Sequence, residues 1–143
     1  MTPMYTATAT ASGGRQGTAR SDDGLLAVTL APPKAMGGNG EGTNPEQLFA
    51  AGYAACFLSA MQFLAGQKKL DLAGAEVTGH VAIGQNERGA GFALGVRHEV
   101  RLPSLDQQAA EALVHEAHQV CPYSNATRGN IDVQFDVTGA GQA

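Results

Sequence analysis

A run of 19 uncharged and mostly apolar residues, 48–66, constrains the fold of this chain more than any other feature. Its length would just allow it to cross a bilayer, but it is rich in Ala and Gly, contains Ser59 and Gln62, and lacks aromatic anchors and a strongly basic flank. We therefore predict a buried helix and no membrane contact. The helix is apolar on nearly every face, and a chain of 143 residues encloses it only in part. We expect a second copy of the chain to cover the remainder in a homodimer.

The residues just before this run predict where the helix begins. Thr43 and Glu46 fit a capping box, in which each side chain pairs with a backbone N–H group of the other residue. Pro45 suits the first turn, where its missing N–H group costs nothing. We expect the helix to end near Gly66, with Gly52 as the obvious position for a break.

Segments in which apolar and polar residues alternate predict β-strands on both sides of the helix. Three short strands precede it, separated by turns at 13–14 and 23–24. Two strands, an amphipathic helix and a last strand follow it, at residues 77–83, 92–102, 105–120 and 131–137. Because hairpins join the strands, this βββ-α-ββ-α-β order predicts one α+β domain with antiparallel sheet. We assign that domain to residues 1–143 and expect a disordered tail at 139–143.

The charge and the N-terminal sequence limit the classes of function. A net charge of -4, a pI near 5.4 and the absence of clustered Lys and Arg argue against nucleic-acid binding. Residues 1–11 lack the basic start and apolar core of a signal peptide, so we expect a cytoplasmic protein. In that compartment a pair of cysteines is more often catalytic or redox-sensing than a permanent structural bridge.

The two cysteines occupy different kinds of position. Cys56 lies within the apolar helix, where it is either a small core residue or a nucleophile. Cys121 ends the amphipathic helix and precedes a polar turn at 122–125. One buried and one terminal cysteine suggest a pair that can form and open a disulfide. The spacing alone leaves open whether the two sulfur atoms meet.

A thiol that acts as a nucleophile must be ionised, and a buried helical site raises its pKa above the free value of about 8.5. A cation from elsewhere in the fold is therefore needed. Arg15, which follows the turn at 13–14, is one candidate among several. The others are Arg20, Arg88, Arg97, Arg101, Arg128 and the lysines.

Glu46 has two interpretations. A carboxylate in the first turn of a helix is stabilised by the helix dipole, and it is also suited to holding an arginine side chain. On one straight helix Glu46 and Cys56 would lie about 15 Å apart along the axis. They share a site only if the helix breaks near Gly52 or if Arg15 reaches between them.

The histidines do not predict a metal site. His115, His118 and Cys121 are spaced three residues apart, which spreads their side chains over about 120° of a helix and is poor for joint ligation. His98 falls on the inward face of its strand, where we expect a hydrogen-bonded core histidine. We predict neither a metal ion nor a bound cofactor.

Three segments of the chain resemble the organic hydroperoxide resistance proteins, one branch of the family that they share with the osmotically inducible proteins. The segments are Gly-Gly-Arg at 13–15, the long run at 43–57, and Cys-Pro-Tyr-Ser-Asn-Ala at 121–126. The resemblance spans nearly the whole chain, and no functional position departs from it. The second and third segments are highly specific to that family.

The resemblance implies a role for four residues. Cys56 matches the peroxidatic cysteine and Cys121 the resolving cysteine, while Arg15 matches the arginine that activates the thiolate and Glu46 the carboxylate that holds this arginine. It also implies an intertwined α+β homodimer with antiparallel sheets around central helices. The implied substrate is an organic hydroperoxide, and the implied reductant is dihydrolipoamide or a lipoylated protein. Candidates for an apolar lining are Met36, Phe49, Phe57 and Phe63.

Three alternatives remain open at this point. The chain could be an OsmC-type peroxidase of the sister branch, with the same chemistry and a different range of peroxides. It could be a non-catalytic thiol redox sensor that binds a partner when oxidised. It could also be a dimeric binding protein whose two cysteines are core residues.

Overall fold

The computed structural model describes residues 1–142. By its internal contacts the chain divides into two compact units, residues 1–48 and a second unit that begins at Phe49. The assignment of the whole chain to one domain stays a prediction. So does disorder of the tail, of which Ala143 lies outside the described residues.

The first unit contains a three-stranded antiparallel meander, as the turn signals predict. Its strands are β1 (Ala9–Ser12), β2 (Thr18–Ser21) and β3 (Ala27–Thr29), in the order β1-β2-β3. Strand β1 begins at Ala9, because β2 is four residues long and its register ends where Ser21 faces Ala9. The tight turn between β1 and β2 requires Gly17, since a Cβ atom there would lie 1.7 Å from the carbonyl oxygen of Ser12.

The apolar run forms one continuous helix, α1 (Pro45–Lys68). The predicted helix is confirmed, but it does not break at Gly52 and it ends two residues beyond Gly66. The capping box was wrong: Asn44 Oδ1 accepts a hydrogen bond from the N–H of Gln47 at 2.8 Å, so Asn44 caps the helix. Glu46 is thereby free to bind another side chain.

The second unit contains a three-stranded sheet in the order β4-β5-β6, formed by β4 (Glu76–Gln85), β5 (Phe92–Arg101) and β6 (Val133–Thr138). The hairpin of β4 and β5 is antiparallel, as predicted. The pairing of β5 with β6 is parallel, which corrects the expectation of antiparallel strands throughout. The two strands run parallel because helices lie between them in the sequence and return the chain to the same end of the sheet.

Those connecting helices are α2 (Gln107–Val120) and α3 (Pro122–Thr127). The polar turn predicted at 122–125 is thus a short helix, and the element order is βββ-α-ββ-α-α-β. Pro122 ends α2 but also occupies the first turn of α3, where its fixed φ suits a helix start. Cys121, with an extended backbone, is the single residue between the two helices.

The α+β class is confirmed, and the core of the second unit explains how its helices are held. Its largest fully buried side chains come mainly from α1, α2 and β5 with the residue that follows it, and they include Tyr53, Phe57, Met61, His98, Val100, Leu102 and Leu113. Only one face of α1 contributes. Phe63, on the other face, keeps 63% of its surface exposed.

Candidate active site

The two cysteines meet in the second unit. The Sγ atoms of Cys56 and Cys121 lie 3.7 Å apart, and both residues are free thiols. A disulfide bond is about 2.05 Å long, so a modest approach would join the two sulfur atoms. Spacing in the sequence left this contact open, because it joins positions on separate helices.

The two sulfur atoms differ in their access to solvent. Cys121 is fully buried among α2 side chains such as Ala117, whereas Cys56 is only half-buried on α1. Cys56 immediately precedes the buried Phe57 on the helix and so lies at the border of the packed face. A reagent from solvent can therefore reach Cys56 more readily than Cys121.

The neighbours of Cys56 in the second unit act on its ionisation in both directions. Burial, the largest effect, raises the pKa of the Cys56 thiol above its ordinary value. The backbone N–H of Tyr123 lowers this pKa by donating a hydrogen bond to the sulfur atom, and the Cys121 thiol raises it again. On balance these groups favour the neutral thiol, so a reactive thiolate requires an added positive charge.

Gly52 has a role that the sequence analysis missed. A Cβ atom at this position would lie 3.0 Å from Tyr123 Oη, so the absence of a side chain leaves room for the Tyr123 ring against α1. The ring also packs near Phe49 and Tyr53, with centroid distances of 6.2 and 5.6 Å. The sequence does contain an indication of this role: a glycine inside a helix, here one turn before Cys56, often allows another group to pack closely against the helix.

Arg15 and Glu46 form a bidentate ion pair in the first unit. Arg15 Nη1 donates to Glu46 Oε2 at 2.8 Å, and Nη2 donates to Oε1 at 2.6 Å. The hydrogen bonds from Arg15 lower the pKa of Glu46 despite its partial desolvation, and Glu46 in turn raises the pKa of Arg15. Two parallel bonds fix the plane of the guanidinium as well as its position. Of the several arginines considered as candidates, the one after the first turn is thus held by the first turn of α1.

The sequence matches a known family over most of its length. The model of a family described as OsmC-like protein matches residues 38–136, which include Glu46 and both cysteines. This chain belongs to the OsmC-like protein family.

Within that family the chain falls in the organic hydroperoxide resistance branch. It is 53% identical over 131 residues to the organic hydroperoxide resistance protein of Xanthomonas axonopodis pv. citri, covering 91% of this chain and 92% of the relative. The crystal structure of OhrB of Bacillus subtilis superposes with a TM-score of 0.86 at 44% identity, over 95% of this chain and 100% of that one. A structure of an organic hydroperoxide resistance protein from Elizabethkingia anophelis gives 0.91 at 47% identity, over 97% and 99% of the two chains.

The apolar residues of this OsmC-like protein divide into core and surface. Phe57 is fully buried, with its ring stacked on His98 at 5.7 Å and tilted against Phe135 at 5.0 Å, so it belongs to the core and cannot line an open pocket. Phe49 is half-buried beside Tyr123. Met36 and Phe63 are exposed at 50% and 63%.

His98 of this family member lies inward on β5, as its position in the strand predicts. The expectation that it is hydrogen-bonded was wrong: neither ring nitrogen has a partner among the described residues. Its ring is enclosed by aromatic side chains, with Tyr53 edge-on at 4.3 Å. Burial lowers the pKa of His98 to about 4, which keeps the ring neutral.

Proposed function

We propose that this chain is a cytoplasmic thiol-dependent peroxidase that reduces organic hydroperoxides to alcohols, with Cys56 as the nucleophile and Cys121 as the resolving thiol. The observation that carries the proposal is the 3.7 Å separation of the two Sγ atoms, of which only Cys56 is accessible. The names of the relatives, organic hydroperoxide resistance proteins, support the substrate class.

The first step consumes the peroxide. The Cys56 thiolate attacks the terminal peroxide oxygen, an S–O bond forms as the O–O bond breaks, and the alkoxide leaves and takes up a proton to become the alcohol. Cys56 is then a sulfenic acid. In the second step Cys121 Sγ attacks Cys56 Sγ, the S–S bond forms, the S–O bond breaks, and water leaves with the thiol proton.

Arg15 supplies the positive charge that the thiolate needs. Burial raises the pKa of Cys56, and a guanidinium keeps its charge at every relevant pH, so it favours the ionised sulfur. The same group stabilises the charge that develops on the oxygens as the O–O bond breaks. Glu46 holds the guanidinium through two hydrogen bonds and so limits its orientations.

A dithiol of the dihydrolipoyl type, free dihydrolipoamide or a lipoylated protein, returns the enzyme to its reduced state. One of its thiolates attacks the more accessible sulfur, Cys56 Sγ, and Cys121 leaves as the thiol. The second thiol of the donor then displaces Cys56 and closes the donor's own disulfide. Two electrons pass from the donor to the enzyme, and no bound cofactor takes part.

The active form is a homodimer. Helix α1 has the length and composition of a membrane span, but one face of it packs in the protein core through Tyr53, Phe57 and Met61. On the opposite face Ala51, Ala55 and Phe63 are exposed. A second copy of the chain would bury this apolar stripe.

Turnover by purified protein tests the function. With dihydrolipoamide as reductant, we expect many turnovers with a bulky organic hydroperoxide, a slower reaction with hydrogen peroxide, and little turnover with glutathione. Cys56→Ser should abolish peroxide consumption. Cys121→Ser should complete one round and then accumulate sulfenic or sulfinic acid at Cys56, visible by intact mass.

Other outcomes point to the alternatives. A preference for hydrogen peroxide would favour the OsmC-type branch. A single oxidation event without turnover would favour a redox sensor. If peroxide left both cysteines as thiols, the chain would be a binding protein with cysteines in its core.

A further inference from the structure

A buried cluster of hydroxyl groups lies beside the two cysteines and has no part in the steps above. Tyr53 Oη is 2.8 Å from Ser124 Oγ and 3.3 Å from Thr127 Oγ1, and Ser124 Oγ is 2.8 Å from His118 Nδ1. Tyr53 and Ser124 are fully buried, and Thr127 is nearly so. We refer to Tyr53, Ser124, Thr127 and His118 as the hydroxyl cluster.

The donors and acceptors of the hydroxyl cluster are mutually consistent. Thr127 Oγ1 donates to the carbonyl oxygen of Ser124 and so can accept from Tyr53. Ser124 Oγ either donates to His118 Nδ1 and accepts from Tyr53, or accepts from His118 Nδ1 and donates to Tyr53, which then donates to Thr127, so the cluster is satisfied with the imidazole in its neutral form. Burial, with smaller effects of Arg128 and His115, lowers the pKa of His118 and favours this neutral form.

The hydroxyl cluster connects the three helices that carry the two sulfur atoms. Tyr53 precedes Cys56 by three residues on α1, His118 precedes Cys121 by three residues on α2, and Ser124 follows Cys121 by three residues on α3. The side chains three residues apart on a helix share a face. The hydrogen bond of Tyr53 to Ser124 therefore joins the helix of Cys56 directly to the helix that begins after Cys121.

We infer that Tyr53 is a positioning residue for disulfide closure: its hydroxyl group holds α3 against α1 so that Cys121 Sγ stays within reach of Cys56 Sγ. The inference rests on the proposed function, since it concerns the step in which the Cys56 sulfenic acid is resolved. In that step the sulfur atoms must approach from 3.7 Å to the length of a disulfide bond. Closure competes with a second peroxide molecule, which would oxidise the sulfenic acid to sulfinic acid. A well-held Cys121 favours closure.

The variant Tyr53→Phe removes only the hydroxyl group and keeps the ring in the core. After a single addition of organic hydroperoxide, we expect rapid quenching and intact-mass analysis to show disulfide closure slowed about fivefold, the factor that one net neutral hydrogen bond supplies. At each peroxide concentration, a larger fraction of Cys56 than in the wild type should be found as sulfinic acid. This fraction should increase with the peroxide concentration. The rate at which peroxide is consumed in the first step should stay as in the wild type.

Two controls separate positioning from general loss of structure. Tyr5→Phe makes the same chemical change at an exposed tyrosine, which keeps 80% of its surface accessible, and should leave closure unchanged. Val100→Ala opens the core on β5, where Val100 is buried, and lowers the melting temperature without removing a hydrogen bond of the hydroxyl cluster. It should leave the ratio of disulfide to sulfinic acid unchanged.

The outcomes distinguish a failure of the positioning role of Tyr53 from a failure of the proposed function. Closure of Tyr53→Phe at the wild-type rate, or an equal rise of sulfinic acid in Val100→Ala, would overturn the positioning role. If Tyr53→Phe does not fold, Thr127→Val weakens the same cluster at its longer contact and must slow closure for the inference to stand. If the wild-type protein itself forms no disulfide between Cys56 and Cys121, the proposed function fails, whatever Tyr53 does.

Discussion

The guanidinium of Arg15 donates two hydrogen bonds to the carboxylate of Glu46, at 2.8 and 2.6 Å, across 31 positions of the sequence. The two hydrogen bonds fix the orientation of the guanidinium plane, which a single hydrogen bond would not do. Such a fixed cation is what the half-buried Cys56, whose pKa is raised, needs before it can react as a thiolate.

Removal of this cation should therefore slow the peroxide step. We expect Arg15→Ala to reduce the rate of Cys56 oxidation about 100-fold at neutral pH, comparable to the loss of one preorganised donor in an active site. The pH at which half of Cys56 ionises, followed by thiolate absorbance or by alkylation rate, should rise. Arg15→Lys keeps the positive charge but not the two parallel hydrogen bonds of the guanidinium, so it should reduce the rate of Cys56 oxidation less than Arg15→Ala does.

Arg20→Ala is the matched control, because Arg20 is an exposed arginine on β2, in the same unit of the chain as Arg15. It should react as the wild type does. Glu46→Gln should fall between the wild type and Arg15→Ala, since the arginine remains but loses its charged partner. An unchanged rate in Arg15→Ala would remove Arg15 from the mechanism.

Two glycines of α1 should respond differently to alanine. A Cβ atom at Gly66 meets no atom within 4 Å, whereas one at Gly52 lies 3.0 Å from Tyr123 Oη. Gly66→Ala should stabilise the protein by about 0.5–1 kcal/mol through helix propensity. Gly52→Ala should gain less stability and change the reactivity of Cys56, because it displaces the residue whose N–H group contacts that sulfur.

Urea unfolding and alkylation rates measure both effects. The double variant Gly52→Ala with Tyr123→Phe relieves the contact at Oη, so in the Tyr123→Phe background the stability gained through Gly52→Ala should come closer to the gain from Gly66→Ala. Equal stabilisation by the two single alanine variants would show that Tyr123 adapts freely and that Gly52 is not needed for packing.

The buried His98 should make stability depend on acid pH. Its pKa is lowered to about 4 in the folded protein from the ordinary value of 6.5, so between these values the unfolded chain binds more protons. The contribution of the neutral ring is fully present above pH 6.5 and is lost as the pH falls to 4. The loss amounts to up to about 3 kcal/mol.

Urea midpoints between pH 4 and 7 test this prediction. His98→Phe, which fits the aromatic surroundings, should flatten the dependence. His80→Gln should keep it, because His80 is half exposed and pairs with Glu99 at the surface. If His98→Phe retained the full wild-type slope, another group would have to cause it.

The exposed face of α1 should determine the oligomeric state. Phe63→Glu places a charge on the apolar stripe that we assign to the dimer interface and should weaken the dimer at least tenfold, about the contribution of one buried aromatic side chain. Phe92→Glu is the control, because it changes an even more exposed phenylalanine outside α1. Light scattering at micromolar concentration should show a shift toward monomer only for Phe63→Glu, and a monomeric wild type would contradict the dimer.

Much of the fold follows from patterns within short segments. The uncharged run predicts α1, the turn residues predict the first meander, and alternation predicts the hairpin of β4 and β5. These features depend on backbone propensity and on which face of a helix or strand is apolar. Both are set by residues that are close together in the sequence. The motifs around Arg15, Glu46, Cys56 and Cys121 also indicate the family by themselves.

The sequence alone does not determine the contacts that depend on how separate elements pack in the folded chain. Local pattern predicted a capping box of Thr43 and Glu46 and a polar turn after Cys121, and both predictions were wrong: Asn44 caps α1 and Pro122 starts α3. The parallel pairing of β6 depends on where the connecting helices pack. The contact of the two sulfur atoms spans 65 positions, and the bond of Tyr53 to Ser124 spans 71. No local periodicity encodes such separations, because they follow from how the helices pack against one another and not from the propensity of any segment.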